Sequence, residues 1–163
     1  MKDQGDAAAP LSLVEADEAR FAPYGRLVDA PDEVGARAFY SDSLHERPDQ
    51  AAPVLHTNRV APVELPLRLT RVERHPLAAQ CFLPLDVSRY IVVVMPSDAN
   101  GAPVPGRALG MIVPGTRGVI YNRGVWHMGA SVLDQPGSFA VLMWRGGTRP
   151  DDEFRTIPPL LLS

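Results

Sequence analysis

Short runs of apolar and β-branched residues alternate along the chain with breaks that contain proline or glycine. The clearest run is YIVVVM, Tyr90–Met95, whose continuous apolar character is that of a strand buried on both faces. Further runs that predict strands are VLHTNRV, LRLTRVERH, ALGMIV, GVIYN and FAVLMWR. Short strands separated by frequent breakers favour an all-β jelly roll or small barrel.

One short helix is predicted near the N-terminus, in SLVEADEARFAPYG (residues 12–25), where Pro23 and Gly25 end it. The length of 163 residues suits one domain with a substantial core, so we expect a single domain over residues 1–163. Residues 1–18 are expected to form a peripheral or poorly ordered segment. Their acidic residues and lack of an apolar core argue against a secretory signal.

Composition narrows the classes of function. Apolar residues make up 45% of the chain and charged residues 21%, which is typical of a globular protein. The net charge of −3 offers no basic surface for nucleic acid, and no apolar run reaches the roughly 20 residues that span a membrane. The single cysteine, Cys81, is flanked by Phe82 and Leu83 and predicts a buried, unreactive thiol in a reducing, cytoplasmic setting. Neither nucleic acid nor a membrane is therefore an expected partner.

The most informative polar residues lie in RVERHPLAAQCFLPL, residues 71–85. Glu73 and His75 are two positions apart, so an extended strand directs both side chains to one face. Pro76 then bends the chain, and Gln80 can return to that face on the next segment. Carboxylate, imidazole and amide oxygen are all ligands for a divalent metal, which makes these three residues candidate ligands.

A further ligand is expected from a different strand. In GVIYNRGVWHMG, residues 118–129, two glycines bracket a tight turn and His127 follows it. The same residues have plainer explanations: Glu73 and His75 on a solvated face, Gln80 capping a turn, and His127 bonded to a backbone carbonyl. Spacing alone leaves the two interpretations open.

Taken together, these motifs resemble a known family. Glu-x-His-x4-Gln, followed by a glycine-bracketed turn and a histidine, is similar to the two-motif metal signature of the cupin superfamily. The segments that more narrowly resemble the ureidoglycolate lyase family of allantoin breakdown are HTNRVAPVELPLRLTRVERHPLAAQCFLPL, YIVVVM, GVIYNRGVWH and WRGGTRPDDEFRTIP. The early FAPYGRLV also fits, so the resemblance runs from Phe21 to Pro158.

The resemblance implies a cupin-type jelly-roll β-barrel, typically a homodimer, that works in purine catabolism. It implies a carbon–nitrogen lyase that converts (S)-ureidoglycolate to glyoxylate and urea. A divalent metal is also implied, nickel in some members, and zinc or manganese suits the same residue types. The positions that match the family's metal ligands are Glu73, His75, Gln80 and His127. Of these, Glu73, His75 and His127 are also expected to be catalytic.

The carboxylate of such a substrate calls for a planar cationic partner, because a guanidinium fork matches a planar anion. The candidates in the chain are Arg59, Arg74 and Arg123. Tyr121 and Asn122 are candidate donors to the ureido carbonyl. Glu73 is expected either to complete the metal coordination or to act as the base, and the sequence leaves both roles open.

The chain departs from the family pattern in three places. Met128 and Gly129 stand where members commonly have a second histidine and a proline, and Trp144 stands where an acidic residue is frequent. FYSDSLHER replaces an Asn/Gly/Arg pattern near residues 39–47. These changes leave two alternatives: a diverged cupin acting on another small hydroxy- or ureido-acid, and a non-catalytic cupin that binds a small anion.

Overall fold

The structure is a computed structural model that describes residues 7–163. It is built almost entirely from strands, with one short α-helix and two single-turn 3-10 helices at Ser41–Ser43 and Pro105–Arg107. In chain order the described elements are β1 (Ala9–Leu11), β2 (Val14–Glu15), α1 (Glu18–Phe21), β3 (Gly25–Val28), β4 (Ala52–Val60), β5 (Leu67–Arg74), β6 (Gln80–Pro84), β7 (Arg89–Met95), β8 (Leu109–Pro114), β9 (Gly118–Tyr121), β10 (Trp126–His127), β11 (Ser131–Leu133), β12 (Gly137–Arg145) and β13 (Glu153–Leu162).

The strands form two sheets that face each other. The larger sheet has the order β1-β13-β5-β10-β7-β8-β2, with β11 also paired to β7, and the smaller has the order β3-β9-β6-β12-β4. Apolar side chains of both sheets meet in one core cluster, which includes Val92 and Val94 of β7 together with Phe82, Val119 and Phe139 of the smaller sheet. The predicted all-β jelly-roll architecture with a short N-terminal helix is confirmed.

Strand β7 is buried on both faces, as its continuous apolar run predicts. Val92 and Val94 enter the core between the sheets, whereas Ile91 and Val93 enter a second cluster on the outer face of the larger sheet. Trp126 belongs to that outer cluster and donates from Nε1 to the carbonyl of Gly101 at 3.0 Å. The larger sheet is therefore a packed layer with apolar contacts on both sides, which makes it a rigid support.

The last strand, β13, was not predicted, because Pro158 and Pro159 interrupt its sequence and proline removes a ladder hydrogen bond. The structure accommodates them where the register of β13 against β5 shifts between Thr156 and Leu160. Pairing with β5 then continues from Leu160 to Leu162. The strand therefore runs alongside the whole of β5, the strand that carries Glu73.

The N-terminal helix is shorter than predicted. Asp17 accepts a hydrogen bond from the backbone N–H of Arg20 and so begins the helix at Glu18. Before it, Val14–Glu15 pairs in parallel with β8, which takes those residues out of the predicted helix. Ala9–Leu11 pairs in parallel with β13 at the other edge of the larger sheet. Residues 1–6 of the expected peripheral segment lie outside the described residues.

Two predictions from the composition concern the state of Cys81 and the presence of a membrane-spanning segment. Cys81 is buried, as predicted, and burial raises its pKa to about 11, so it is a neutral thiol near pH 7. No helix in residues 7–163 is long and apolar enough to cross a membrane.

Close approach of β3 to β9 depends on Gly25, which pairs with Tyr121. A Cβ at position 25 would overlap the carbonyl oxygen of Ile120, a backbone atom that cannot rotate away. We therefore expect Gly25→Ala to lower the free energy of unfolding by at least about 2 kcal/mol, as overpacked sites do. Urea unfolding measures it, with Gly106→Ala as the matched control because a Cβ at Gly106 meets nothing within 4 Å. Equal stability of the two variants would contradict the packing argument.

Candidate metal centre

Strand pairing places Glu73 beside His127. In the β5–β10 ladder these two residues are directly opposite each other, so their side chains share the face that looks between the sheets. His75 follows one residue after the end of β5 and returns to the same side. One ligand atom from each of Glu73, His75 and His127 lies within 4.8 Å of the other two. The structure thus brings together three of the four predicted ligands from two strands and a loop.

Backbone oxygens fix the tautomer of both imidazoles. His75 Nδ1 lies 2.9 Å from the carbonyl oxygen of Asp151, and His127 Nδ1 lies 2.9 Å from the carbonyl oxygen of Val125. A carbonyl can only accept, so Nδ1 carries the hydrogen in each ring. The neutral rings consequently present an Nε2 lone pair, which is the form of histidine that binds a metal.

Two buried nitrogens of the cluster, His75 Nε2 and His127 Nε2, have no hydrogen-bond partner among the described residues. The buried Gln80 Oε1 is also without a partner, and Gln80 lies on β6 opposite Tyr121. His127 Nε2 is 3.5 Å from Glu73 Oε1, a contact without the alignment of a hydrogen bond. Each unpaired buried group costs about 1–3 kcal/mol. A bound cation would satisfy such atoms, and two imidazoles with a carboxylate and an amide oxygen suit a divalent transition metal. The cluster is therefore a possible divalent-metal site.

The electrostatics of the cluster favour an ionised Glu73. In its cationic form the His127 ring lowers the pKa of the Glu73 carboxyl, and this outweighs the opposing effect of burial. Tyr121 stacks on the His127 ring, with ring centroids 4.2 Å apart and planes 11° from parallel. Burial, and then the Glu73 charge, raise the pKa of Tyr121, so it remains a neutral phenol. Stacking against the Tyr121 ring thus restricts the orientation of His127.

Comparison with known families places the chain in one of them. The sequence model of the ureidoglycolate lyase family matches residues 9–159. This chain belongs to the ureidoglycolate lyase family. The match includes Glu73, His75, Gln80 and His127 as well as both sheets.

Individual members of the family are moderately similar to the chain. A ureidoglycolate lyase of Pseudomonas paraeruginosa is 39% identical over 101 residues, which is 61% of this chain and 59% of that protein. This alignment therefore spans less than two thirds of the Pseudomonas protein. Those of Mesorhizobium japonicum and Burkholderia mallei are 33% and 32% identical, covering 78% and 84% of this chain and 80% and 83% of those proteins. Among solved structures, a Legionella pneumophila dTDP-6-deoxy-D-glucose-3,5-epimerase matches 85% of this chain and 80% of its own at 14% identity and a TM-score of 0.46.

Arg59 and Arg74, two of the predicted substrate-binding arginines, make contacts that direct their side chains away from the cluster. Arg59 is exposed on β4 and pairs with Asp86 at 3.1 Å. Arg74 follows Glu73 on β5, so its side chain leaves the opposite face of the strand. There its Nε donates to Glu153 at 2.7 Å and its guanidinium lies over the Trp126 ring.

The other predicted substrate-binding residues lie in or near the turn between β9 and β10. Arg123 is exposed and pairs with Glu46 at 3.1 Å. Within the described chain, neither Arg123 nor Asn122 has a side-chain hydrogen bond or ion pair with a ligand residue of the cluster. The turn itself is tied to the site, because Gly124, with a φ of 76°, donates its N–H to the His75 carbonyl at 2.7 Å. Tyr121 alone of the predicted substrate-binding residues touches the cluster.

The structure also shows three residues near the cluster that the sequence did not reveal. The carboxylate of Asp152 lies 3.2 Å from His75 Nδ1, alongside the Asp151 carbonyl. Arg145 in turn donates to Asp152 at 3.0 Å. The DD pair of RPDDEF is the sequence signal for Asp152, but its place beside His75 depends on the pairing of β13 with β5. Arg71 was also missed, although it lies two residues before Glu73 and strand periodicity puts it on the same face.

Three residues that the sequence analysis set apart from the family pattern, Met128, Gly129 and Trp144, occupy different positions relative to the cluster. Met128 is buried in the outer core cluster, away from the ligand atoms. Gly129 is exposed beside Glu73, where a Cβ would be 3.8 Å from Oε1. Trp144 is half-buried, with the Arg47 guanidinium 4.1 Å from its ring centroid. Gly129 is the one of these three that changes the space next to Glu73.

Metal binding is the direct test of the cluster. We expect the wild-type protein to bind one divalent ion and to unfold at a higher temperature in its presence, because a ligand of the native state stabilises it. His127→Ala should weaken binding at least about 100-fold, since it removes a ligand and leaves Glu73 unpaired. Calorimetric titration with Ni²⁺ or Zn²⁺ measures this, and His56→Ala, an exposed residue of β4, is the control. Equal affinity of the two variants would remove His127 from the site.

Proposed function

We propose that the protein is a metal-assisted ureidoglycolate lyase that releases urea and glyoxylate from (S)-ureidoglycolate in allantoin and purine catabolism. The observation that carries the proposal is the convergence of Glu73, His75 and His127 within 4.8 Å. It lies in a chain whose match to the ureidoglycolate lyase family extends over residues 9–159. Both the chemistry of the donors and the family therefore favour the same reaction.

Ureidoglycolate carries a hydroxyl, a carboxylate and a ureido nitrogen on one carbon. The reaction breaks the bond between that carbon and the nitrogen. The hydroxyl loses its proton and becomes the aldehyde of glyoxylate, while the nitrogen gains a proton and leaves as urea. A base near the hydroxyl and a means of orienting the carboxylate are the minimum requirements.

His75, His127, Glu73 and the Gln80 amide oxygen are the proposed metal ligands. A bound divalent metal supplies Lewis acidity, which lowers the pKa of an attached hydroxyl. The Asp151 and Val125 carbonyls keep Nε2 of both rings free of hydrogen, so no proton must be displaced before binding. Tyr121 stacks on His127, and both imidazole rings are buried, so little of either ring is open to solvent.

Glu73 is the proposed acceptor of the hydroxyl proton. Its lowered pKa means that the carboxylate is the form present near neutral pH, and the acidity that a bound metal would give the substrate hydroxyl compensates for its weak basicity. Its side chain is 24% exposed, whereas that of His127 is 1% exposed, so Glu73 is the member of the cluster that a substrate can reach. The same carboxylate can also complete the coordination, and its two oxygens permit both roles.

Three further features belong to the proposal. Nickel is the proposed metal, because some family members are associated with it, and zinc or manganese suits the same donors. The proposed assembly is a homodimer, in line with the family. A cytoplasmic location is supported by the buried, neutral Cys81 thiol.

Turnover tests the proposed reaction. Protein stripped with a chelator and reloaded separately with Ni²⁺, Mn²⁺ or Zn²⁺ should release glyoxylate and urea in equal amounts from racemic ureidoglycolate. We expect one enantiomer to be consumed and the other to remain, because a site with several fixed groups distinguishes them. Chiral chromatography with a glyoxylate assay measures this, with His127→Ala as the inactive control. Glyoxylate binding without turnover would instead identify an anion-binding protein.

The role of Glu73 is tested by Glu73→Gln, which keeps the size of the side chain and removes its basicity. We expect kcat to fall by about 10²–10⁴, the usual contribution of a general base. Metal affinity should fall much less, because the amide retains an oxygen ligand. Glu64→Gln, at an exposed position, is the control. An unchanged kcat in Glu73→Gln would show that another group accepts the proton.

A further inference from the structure

An open cavity of about 180 Å³ lies next to Glu73. Its walls are formed by Arg71, Val72, Glu73, Gly129 and Phe154. This volume suits a molecule of a few heavy atoms, and Glu73 connects it directly to the metal cluster. It is therefore the side from which a small substrate can approach the ligand atoms.

Arg71 supplies the positive charge of this cavity. It lies on β5 two residues before Glu73, so both side chains leave the same face of the strand. Arg71 is close enough that its charge helps to lower the pKa of Glu73, after the larger effects of the two histidines. The cavity thus has a guanidinium on one side and the candidate metal ligands on the other.

Phe154 holds the guanidinium in place. On β13, Phe154 is directly opposite Glu73, and the Arg71 guanidinium carbon lies 4.2 Å from the centroid of its ring. Arginine stacks on aromatic faces in this way while leaving its N–H groups free around its edge. The stacked side chain is therefore oriented before any ligand arrives.

Arg71 differs from the arginines predicted from the sequence in having no acidic partner. Among residues 7–163 no carboxylate lies within ion-pair distance of its guanidinium, whereas each predicted arginine already has one. Those carboxylates are Asp86 for Arg59, Glu153 for Arg74 and Glu46 for Arg123. An arginine next to an accessible cavity with its N–H groups unused is suited to bind an incoming carboxylate in a bidentate manner.

We propose that Arg71, oriented by Phe154, binds the carboxylate of the substrate, which makes the cavity selective for small carboxylic acids. The identity of the full substrate rests on the proposed function, but carboxylate recognition can be tested separately. Gly129 contributes by leaving space, since a longer side chain at that position would extend into the cavity beside Glu73.

The test compares two ligands that differ only in charge, glycolate and its neutral amide, glycolamide. With Ni²⁺-loaded wild-type protein we expect glycolate to bind more tightly, as measured by calorimetry. In Arg71→Gln this preference should fall at least about tenfold, and Arg71→Lys should retain part of it, because lysine keeps the charge but lacks the planar fork. The matched control is Arg155→Gln, a neighbour of Phe154 that pairs with Glu153 and is opposite Val72 on the other face.

The outcomes separate this inference from the proposed reaction. A reduced preference in Arg71→Gln alone supports the assignment, whether or not ureidoglycolate is turned over. An unchanged preference, or a wild-type protein that binds glycolate no better than glycolamide, overturns it even if turnover is efficient. Circular dichroism and Ni²⁺ titration of Arg71→Gln verify that the fold and metal binding are intact.

If ureidoglycolate is turned over, steady-state kinetics give a second measurement. We expect Arg71→Gln to raise KM at least about tenfold, as loss of a charge-assisted contact does, with a smaller change in kcat. Phe154→Leu should raise KM less than Arg71→Gln, because it loosens the guanidinium without removing it. A fall in kcat at constant KM in Arg71→Gln would overturn carboxylate binding as its role.

Discussion

The candidate centre depends on two hydrogen bonds between imidazole and backbone. The Asp151 and Val125 carbonyls each hold an Nδ1–H, and this leaves Nε2 of His75 and His127 buried without a partner. A protein interior normally avoids such atoms, because each costs about 1–3 kcal/mol. The arrangement is stable when something else occupies the lone pairs. The hydrogen bonds that orient the rings therefore also leave both Nε2 lone pairs available to a divalent cation.

The jelly roll supplies these constraints through its sheet register. Glu73 and His127 meet because β5 and β10 pair at that position, and β10 is held in turn by β7, the strand buried on both faces. The turn before β10 is bonded to His75 through Gly124. Elements far apart in the chain thus fix the distances among three side chains. Rigidity of this kind keeps the ligand atoms close together despite the repulsion among their lone pairs.

Much of the fold could be predicted from the sequence, because its strands have strong apolar runs and clear breaks. The period of two along β5 correctly placed Glu73 and His75 on one side, and the glycine-bracketed turn correctly led to His127. The prediction did not include β13, because Pro158 and Pro159 are residues that normally interrupt a strand. Its pairing with β5 joins distant parts of the chain, so no local pattern indicates it. Arg71 is not among the arginines predicted to bind substrate. Those arginines, Arg59, Arg74 and Arg123, each pair with an acidic side chain. Local sequence patterns indicate which residues could be metal ligands. Only the tertiary structure shows which arginine side chains have no acidic partner.

The position of β13 has a consequence for how the protein acquires its metal. The proposed ligands lie between residues 73 and 127, yet His75 takes its orienting oxygen from Asp151, just before β13. During synthesis on the ribosome, the nascent chain therefore holds all of these ligands before it can hold them in the correct tautomer. A well-ordered centre forms only after the C-terminal strand has docked against β5. The ordered form of the centre thus depends on a backbone oxygen that comes after every proposed ligand in the chain.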